Sequence, residues 1–286
     1  MLTDTLLART KKFLRDHDLH ARKGLAQHFL VDGSFLKKII AAAGLTPADT
    51  VVEVGPGLGV LTLELAKVSG KVIAVELDQT LAGILKDSTS TSGNFTIINE
   101  DILKIDPAEL VSGTRYKVVA NLPYYITSAV IRHFLEASAK PSLIVLMVQK
   151  EVADVITAPP GEMSLLSVSV RLYGEPEIVA QVPASSFYPV PNVDSAVLKI
   201  KVYPQPVIKE QDIPDFFKVV KAGFSANRKQ LVNSLSKRLE LEKKDVITVL
   251  EKAGIDVRRR AETLTIAEWK KLLEAFQNEG SLIADN

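Results

Sequence analysis

The residues best equipped for chemistry are the glycine-spaced turn E-V-G-P-G-L-G, Glu53 to Gly59, and the stretch N-L-P-Y-Y, Asn121 to Tyr125. Glycines at 55, 57 and 59 allow positive φ and a close approach of backbone to ligand, and the helix expected after them points its positive end at the same place. That combination suits a bound nucleoside. It is not the dinucleotide fingerprint G-x-G-x-x-G, because Val60 stands where the third glycine belongs, and no G-K-[S/T] follows to make a phosphate-binding loop. Glu76, with Leu77 after it, ends the next apolar run, where a carboxylate can accept hydrogen bonds from both hydroxyls of a ribose. Asp101 in N-E-D-I-L follows the third run. It can accept from an adenine amino group, with the backbone beside Ile102 available to a ring nitrogen. Single acids at strand ends are usually just solvated. Three such signals in register at the carboxyl edge of one parallel sheet occupy the place where ligands bind.

The spacing E-x-G-x-G-x-G from Glu53 resembles the first motif of S-adenosylmethionine-dependent methyltransferases; the alternative is a glycine-rich strand-to-helix turn that binds another nucleotide, or nothing. If a planar amine is the methyl acceptor, N-L-P-Y-Y has a purpose. The exocyclic amine of adenine is a poor nucleophile because its lone pair is delocalised into the ring. The Asn121 side-chain oxygen and the Leu122 carbonyl, accepting its two N–H bonds, would localise that lone pair toward the methyl. Pro123 fixes the turn that aims both groups. Tyr124 offers a stacking face to a base swung out of its helix. The alternative, Asn121 as a helix cap and Tyr124 as packing, would use the same residues without chemistry.

The elements that must hold these residues are legible in the hydrophobic pattern. T-V-V-E-V, K-V-I-A-V-E-L, F-T-I-I-N, Y-K-V-V-A-N and S-L-I-V-L-M-V-Q read as strands, with L-T-L-E-L-A-K-V, Q-T-L-A-G-I-L-K-D and T-S-A-V-I-R-H-F-L-E-A-S-A as helices between them. Strands alternating with helices predict a parallel α/β sheet covered on both faces. L-L-S-V-S-V-R-L-Y-G, P-E-I-V-A-Q-V-P and S-A-V-L-K-I-K-V-Y continue as β-type runs. With no helix between the last two, an antiparallel edge is expected. Residues 203–214 hold three prolines and no periodicity, which predicts a linker, and the pattern is helical from there on. The expected division is therefore a cofactor-binding domain over 1–203 and a small all-α domain over 204–286.

Composition narrows the function. The 286 residues are 47% apolar and 24% charged with a net charge of +1, so overall charge names no nucleic-acid partner. There is a local basic segment: six Lys or Arg against three acids between Met1 and His28, including Arg9, Lys11, Lys12, Arg15, Arg22 and Lys23. Such a patch can bind phosphates or simply be a solvated helix face. No cysteine is present, which excludes disulfides, Cys-ligated zinc and the thiol nucleophile of a cytosine-C5 methyltransferase. The four histidines show no metal-binding spacing, so no metal is expected. The absence of a long apolar run or a signal peptide's apolar core predicts a soluble, cytoplasmic protein without membrane contact.

Q-H-F-L at Gln27 to Leu30, V-V-E-V-G-P-G-L-G-V-L-T, V-E-L-D, N-E-D-I-L, N-L-P-Y-Y-I, M-V-Q-K-E-V-A and S-S-F-Y-P-V-P-N-V-D-S-A-V occur in the order seen in the KsgA-type ribosomal RNA adenine dimethyltransferases. The resemblance spans nearly the whole chain. It implies a Rossmann-like methyltransferase domain with a small helical C-terminal domain, acting as a monomer on the small ribosomal subunit during ribosome biogenesis. The implied activity is transfer of two methyls to N6 of each of two adjacent adenines near the 3′ end of 16S ribosomal RNA, converting S-adenosylmethionine to S-adenosylhomocysteine. It further implies that Gln27 helps hold the methionine part of the cofactor, that His28 and Leu30 also line the cofactor site, that Phe187 forms a second wall opposite Tyr124, and that a C-terminal helix carrying Arg228 and Lys229 contacts RNA. Two positions depart from the family pattern: Ala26 replaces a glycine, and Asn227 replaces an arginine. The rivals are a macrolide-resistance type methyltransferase of 23S ribosomal RNA and a non-catalytic ribosome-assembly factor. A non-catalytic relative should have lost Asn121, Tyr124 or the acidic ligands, all present here. A DNA adenine methyltransferase would need a larger recognition domain.

Overall fold

The computed structural model describes residues 5–19, 27–88, 94–226 and 228–279. In chain order, its first part comprises α1 (Leu6–Asp16), β1 (Phe29–Leu30), α2 (Gly33–Ala43), β2 (Thr50–Val54), α3 (Val60–Val68), β3 (Lys71–Glu76), α4 (Gln79–Ser88), β4 (Phe95–Asn99), α5 (Pro107–Val111), β5 (Tyr116–Asn121), α6 (Thr127–Glu136) and β6 (Leu143–Gln149). There follow α7 (Lys150–Thr157), α8 (Leu165–Tyr173), β7 (Gly174–Val182), β8 (Phe187–Tyr188), β9 (Ser195–Val202), and the helices α9 (Ile213–Gly223), α10 (Leu231–Leu239), α11 (Lys243–Lys252) and α12 (Ile266–Asn278).

Seven strands form one sheet in the order β4-β3-β2-β5-β6-β9-β7. The pairs from β4 through β6 are parallel, and β9 runs antiparallel to β6. All five residues of β2 are buried, as expected for a strand covered on both faces. The core on one side of the sheet gathers Ile39, Leu65, Val119, Val145 and Val197. A separate two-stranded ladder pairs β1 with β8, Phe29 opposite Tyr188 and Leu30 opposite Phe187. No described helix is long and apolar enough to cross a membrane.

Two expectations change. L-L-S-V-S-V-R-L-Y-G, read as a β-type run, is the helix α8. A capping box between Ser164 and Ser167 starts it, and it buries Val168, Val170, Leu172 and Tyr173. A short segment that is apolar on several sides has no period that separates strand from helix. The proline-rich stretch expected as a linker is bound back to α8, with Tyr203 N–H donating to the Tyr173 carbonyl at 2.8 Å and Val207 N–H to the Leu172 carbonyl at 3.0 Å.

By contacts the chain divides into one unit of residues 1–153 with 176–202 and a second of 154–175 with 203–286. The expected boundary near residue 203 is one of the crossings between them, and the segment around α8 joins the helical unit. Within that unit α9 packs against α10 and α12, and the fully buried Trp269 of α12 lies tilted 31° against Phe224, ring centroids 5.7 Å apart.

Two glycines test how tightly the sheet is set. A Cβ at Gly70, at the mouth of β3, would lie 2.2 Å from the Pro47 carbonyl oxygen, a backbone atom that cannot rotate away. At Gly83 in α4 a Cβ meets nothing within 4 Å. Gly70→Ala should therefore destabilise by about 1–3 kcal/mol through overpacking. Gly83→Ala should stabilise by about 0.5–1 kcal/mol through helix propensity. Urea midpoints at unchanged m-value are the check.

Candidate active site

After β2 the chain turns through Gly55, Gly57 and Gly59 at φ 66°, 57° and 77°, and α3 begins at the next residue. The positive φ demands glycine at both Gly57 and Gly59; a Cβ would also press to 3.3 Å of the Phe29 ring at Gly57 and 2.6 Å of Leu85 Cδ2 at Gly59. The turn floors a cavity of about 360 Å³ whose walls include Gln27, His28, Leu30, Glu53, Glu76, Leu77, Asp101, Ile102, Asn121, Leu122, Pro123 and Tyr124. The structure thus brings together residues that the sequence spreads over about a hundred positions.

Glu76 Oε2 accepts from Gly57 N–H at 3.0 Å and Oε1 from Asp78 N–H at 2.9 Å. Each oxygen keeps a lone pair, which suits a vicinal diol. Burial pushes the Glu76 carboxyl above the ordinary carboxylate range in spite of these two donors, with the Asp78 charge adding to the effect. Asn99 holds the end of this strand in place: its Nδ2 donates to the Glu76 carbonyl at 2.8 Å. Asp101 caps a short turn by accepting from Leu103 N–H at 3.0 Å. Leu77 and Leu103, both exposed yet lining the cavity, offer apolar faces to a planar ring.

Glu53 is 1% exposed, and its Oε2 has no hydrogen-bond partner in the described structure. Burial, reinforced by the charge of Glu76 and only partly offset by the nearby Thr62 hydroxyl, pushes its carboxyl up to about 8. An unpaired buried carboxyl on the wall of a cavity fits a ligand that brings a cation or a donor. These features suit a nucleoside bearing an amino-acid side arm: a diol at Glu76, a purine between apolar faces near Asp101, and an ammonium within reach of Glu53.

The other end of the cavity is organised around His28. Asn121 Nδ2 donates to the His28 carbonyl at 3.2 Å, which leaves Oδ1 as the acceptor presented to the cavity. The His28 Nδ1–H donates to the Pro189 carbonyl at 2.8 Å, and its ring lies nearly parallel to Tyr124, 18° apart with centroids at 5.9 Å. Tyr124 OH and Ser195 Oγ are hydrogen-bonded at 2.7 Å. One face of Tyr124 is therefore backed by His28 and its hydroxyl is tethered. Burial raises the phenol above its ordinary range, so the ring stays neutral.

Phe187 is placed elsewhere. It is 2% exposed, packs in the core cluster with Leu30 and Val182, and is absent from the cavity wall. It sits in the two-stranded ladder opposite Leu30, with its side chain in the apolar core. Arg9, Lys11, Lys12 and Arg15 lie exposed on α1, with the Lys11 ammonium 5.1 Å from the centroid of the Tyr188 ring. Arg228 and Lys229 are exposed in the turn before α10, not on a helix. Arg22, Lys23, Ala26 and Asn227 fall outside the described residues. No local pattern marks Ser195 or Asn99 as supports, since their partners lie 71 and 23 positions away.

Residues 18–276 match the model of the family described as ribosomal RNA adenine dimethylase. The chain is 52% identical over 271 residues to the ribosomal RNA small subunit methyltransferase A of Dehalococcoides mccartyi, covering 94% of this chain and 93% of that one. It is 43% identical to the protein of the same name from Clostridioides difficile, covering 92% and 93%. Among solved structures, a dimethyladenosine transferase from Plasmodium falciparum matches with a TM-score of 0.78 at 27% identity, covering 88% of this chain and 98% of that one. The 23S rRNA methyltransferase ErmE matches with 0.72 at 29%, covering 87% and 99%.

Two outcomes are expected from the nucleoside end. The folded protein holds a proton on Glu53 that the unfolded chain releases between the ordinary value of 4.5 and about 8. Stability should therefore fall as pH rises through that window, and Glu53→Gln should lessen the fall, as read by thermal unfolding at a series of pH values. Glu76→Ala and Asp101→Ala should each weaken S-adenosylhomocysteine binding by about 1–3 kcal/mol in calorimetry, by leaving a ligand donor unpaired.

Proposed function

The chain belongs to the ribosomal RNA adenine dimethylase family, and from that premise we propose that it methylates N6 of two adjacent adenines near the 3′ end of 16S ribosomal RNA, twice each, using S-adenosylmethionine, in assembly of the small ribosomal subunit. The observation that carries the reading is the commitment of the Asn121 amide nitrogen to the His28 carbonyl, which fixes an acceptor oxygen next to a tyrosine platform. The 52% and 43% identities to small subunit methyltransferases favour that subunit over the 23S substrate named for ErmE, which is 29% identical.

When bound, the cofactor supplies a methyl carbon activated by its sulfonium. The chain's part is placement. Glu76 takes the ribose hydroxyls, Asp101 and the backbone at Ile102 take the adenine edge, and the glycine turn admits the nucleoside close to its backbone. Gln27, His28, Leu30 and Glu53 surround the amino-acid arm, with Glu53 ionising as it meets the ammonium. The target adenine stacks on the face of Tyr124 away from His28. Its amine gives one N–H to Asn121 Oδ1 and the other to the Leu122 carbonyl, which draws the nitrogen lone pair out of conjugation and toward the methyl. After transfer the surplus proton leaves to water, since neither acceptor is a base. The monomethylated amine retains one N–H, enough for one acceptor to hold it through the second round. Positioning carries most of the rate, because the reaction is an in-line displacement at an activated carbon. The exposed cations of α1, and separately Arg228 and Lys229, suit contact with RNA phosphates.

Incubating the protein with labelled cofactor and separated small and large subunits from unmethylated cells should place label on adjacent adenines of the small-subunit RNA alone. Label on the large subunit would favour the 23S reading. Asn121→Ala should keep cofactor affinity and melting temperature while losing roughly 100-fold or more in transfer rate. Near-normal turnover would refute the role given to that amide.

A further inference from the structure

The segment between β8 and β9 is pinned to the base end of the cavity from both sides. At its start the Pro189 carbonyl accepts from the His28 ring at 2.8 Å, and at its end Ser195 Oγ is bonded to Tyr124 OH at 2.7 Å. Asp194 adds two anchors: its carboxylate accepts from Ala184 N–H at 2.9 Å and its carbonyl from Lys150 N–H at 3.0 Å. Pro191 in the middle is buried. Two apolar side chains on this fastened loop nevertheless face water, Val190 at 61% and Val193 at 44% exposure. Tyr125, on the cavity wall beside the tethered Tyr124, is 59% exposed. A lone exposed valine means nothing. Here three large apolar side chains stand exposed, at Tyr125 and on the anchored loop that reaches Tyr124 through Ser195.

We propose that Tyr125, Val190 and Val193 form an apolar rim that receives the base adjoining the extruded adenine. This inference rests on the reading of the cavity as an adenine site. A base drawn into such a pocket leaves its neighbour without a stacking partner, and the neighbour is tethered by one nucleotide's length of backbone to the pocket mouth. Aromatic faces stack unpaired bases regardless of sequence, and small apolar side chains serve as wedges against a disrupted base step. The occupant is therefore the second adenine of the adjacent pair while the first is in the pocket.

The test uses the full-length protein saturated with S-adenosylhomocysteine, and small subunits reconstituted around ligated 16S ribosomal RNA in which either both adenines are intact or one is replaced by an abasic ribose. Filter binding at fixed salt is compared for wild type and for the double variant Val190→Ser with Val193→Ser. Each change alone should weaken binding about ten-fold, and the two together no more than either alone, because both delete the same contact. Losses that multiply, or a double variant that binds intact subunits as wild type does, would overturn the rim. Tyr125→Ser gives the same comparison independently should the double variant fold poorly. Methylation of the intact subunits by wild type is read in parallel with the labelled cofactor. No methyl on either adenine would overturn the adenine-site reading and the rim with it, whereas normal methylation with multiplying losses overturns the rim alone.

Discussion

Parallel register at one end of the sheet is the constraint on which the site depends. β2, β3, β4 and β5 all end at the same edge, with Glu53 opposite Ala74, Glu76 opposite Asn99 and Asn121 opposite Met147. A shift of one residue in any of these ladders would turn a site residue from the cavity into the apolar layer beneath the helices. The sheet is held to register by strands buried on both faces and by connections such as the Gly55 N–H to the Val75 carbonyl at 2.9 Å, which carries the ladder into the glycine turn.

The two ends of the cavity solve different problems. At the nucleoside end the chain buries carboxyls and pairs them incompletely: Glu76 holds two backbone donors, and Glu53 leaves an oxygen unpartnered at the price of an ionisation displaced to about 8. Burial of that kind opposes folding unless something else completes it, which ties the protein's stability to its ligand. At the base end nearly everything is satisfied. The His28 carbonyl, ring nitrogen and ring face are each engaged, with Asn121, Pro189 and Tyr124. One end leaves charge and donors to be supplied; the other holds an acceptor oxygen and a flat ring in place, as the proposed planar amine would require.

The amino-acid sequence by itself determined the α/β pattern, the glycine turn, and the acids and amide that terminate successive strands. Those signals are local: β-branched runs, positive-φ glycines and polar residues at run ends follow from the preferences of a few neighbouring residues. It misjudged α8, whose apolar faces carry no distinguishing period, and the proline-rich stretch that binds back to α8. Only the tertiary structure decided the supports. Ser195 reaches Tyr124 because β9 lies beside β6, and Phe187 turns into the core because β8 pairs with β1 in one register rather than the next. Both outcomes depend on which strands become neighbours, and neighbours far apart in the chain are chosen by the packing of the whole sheet.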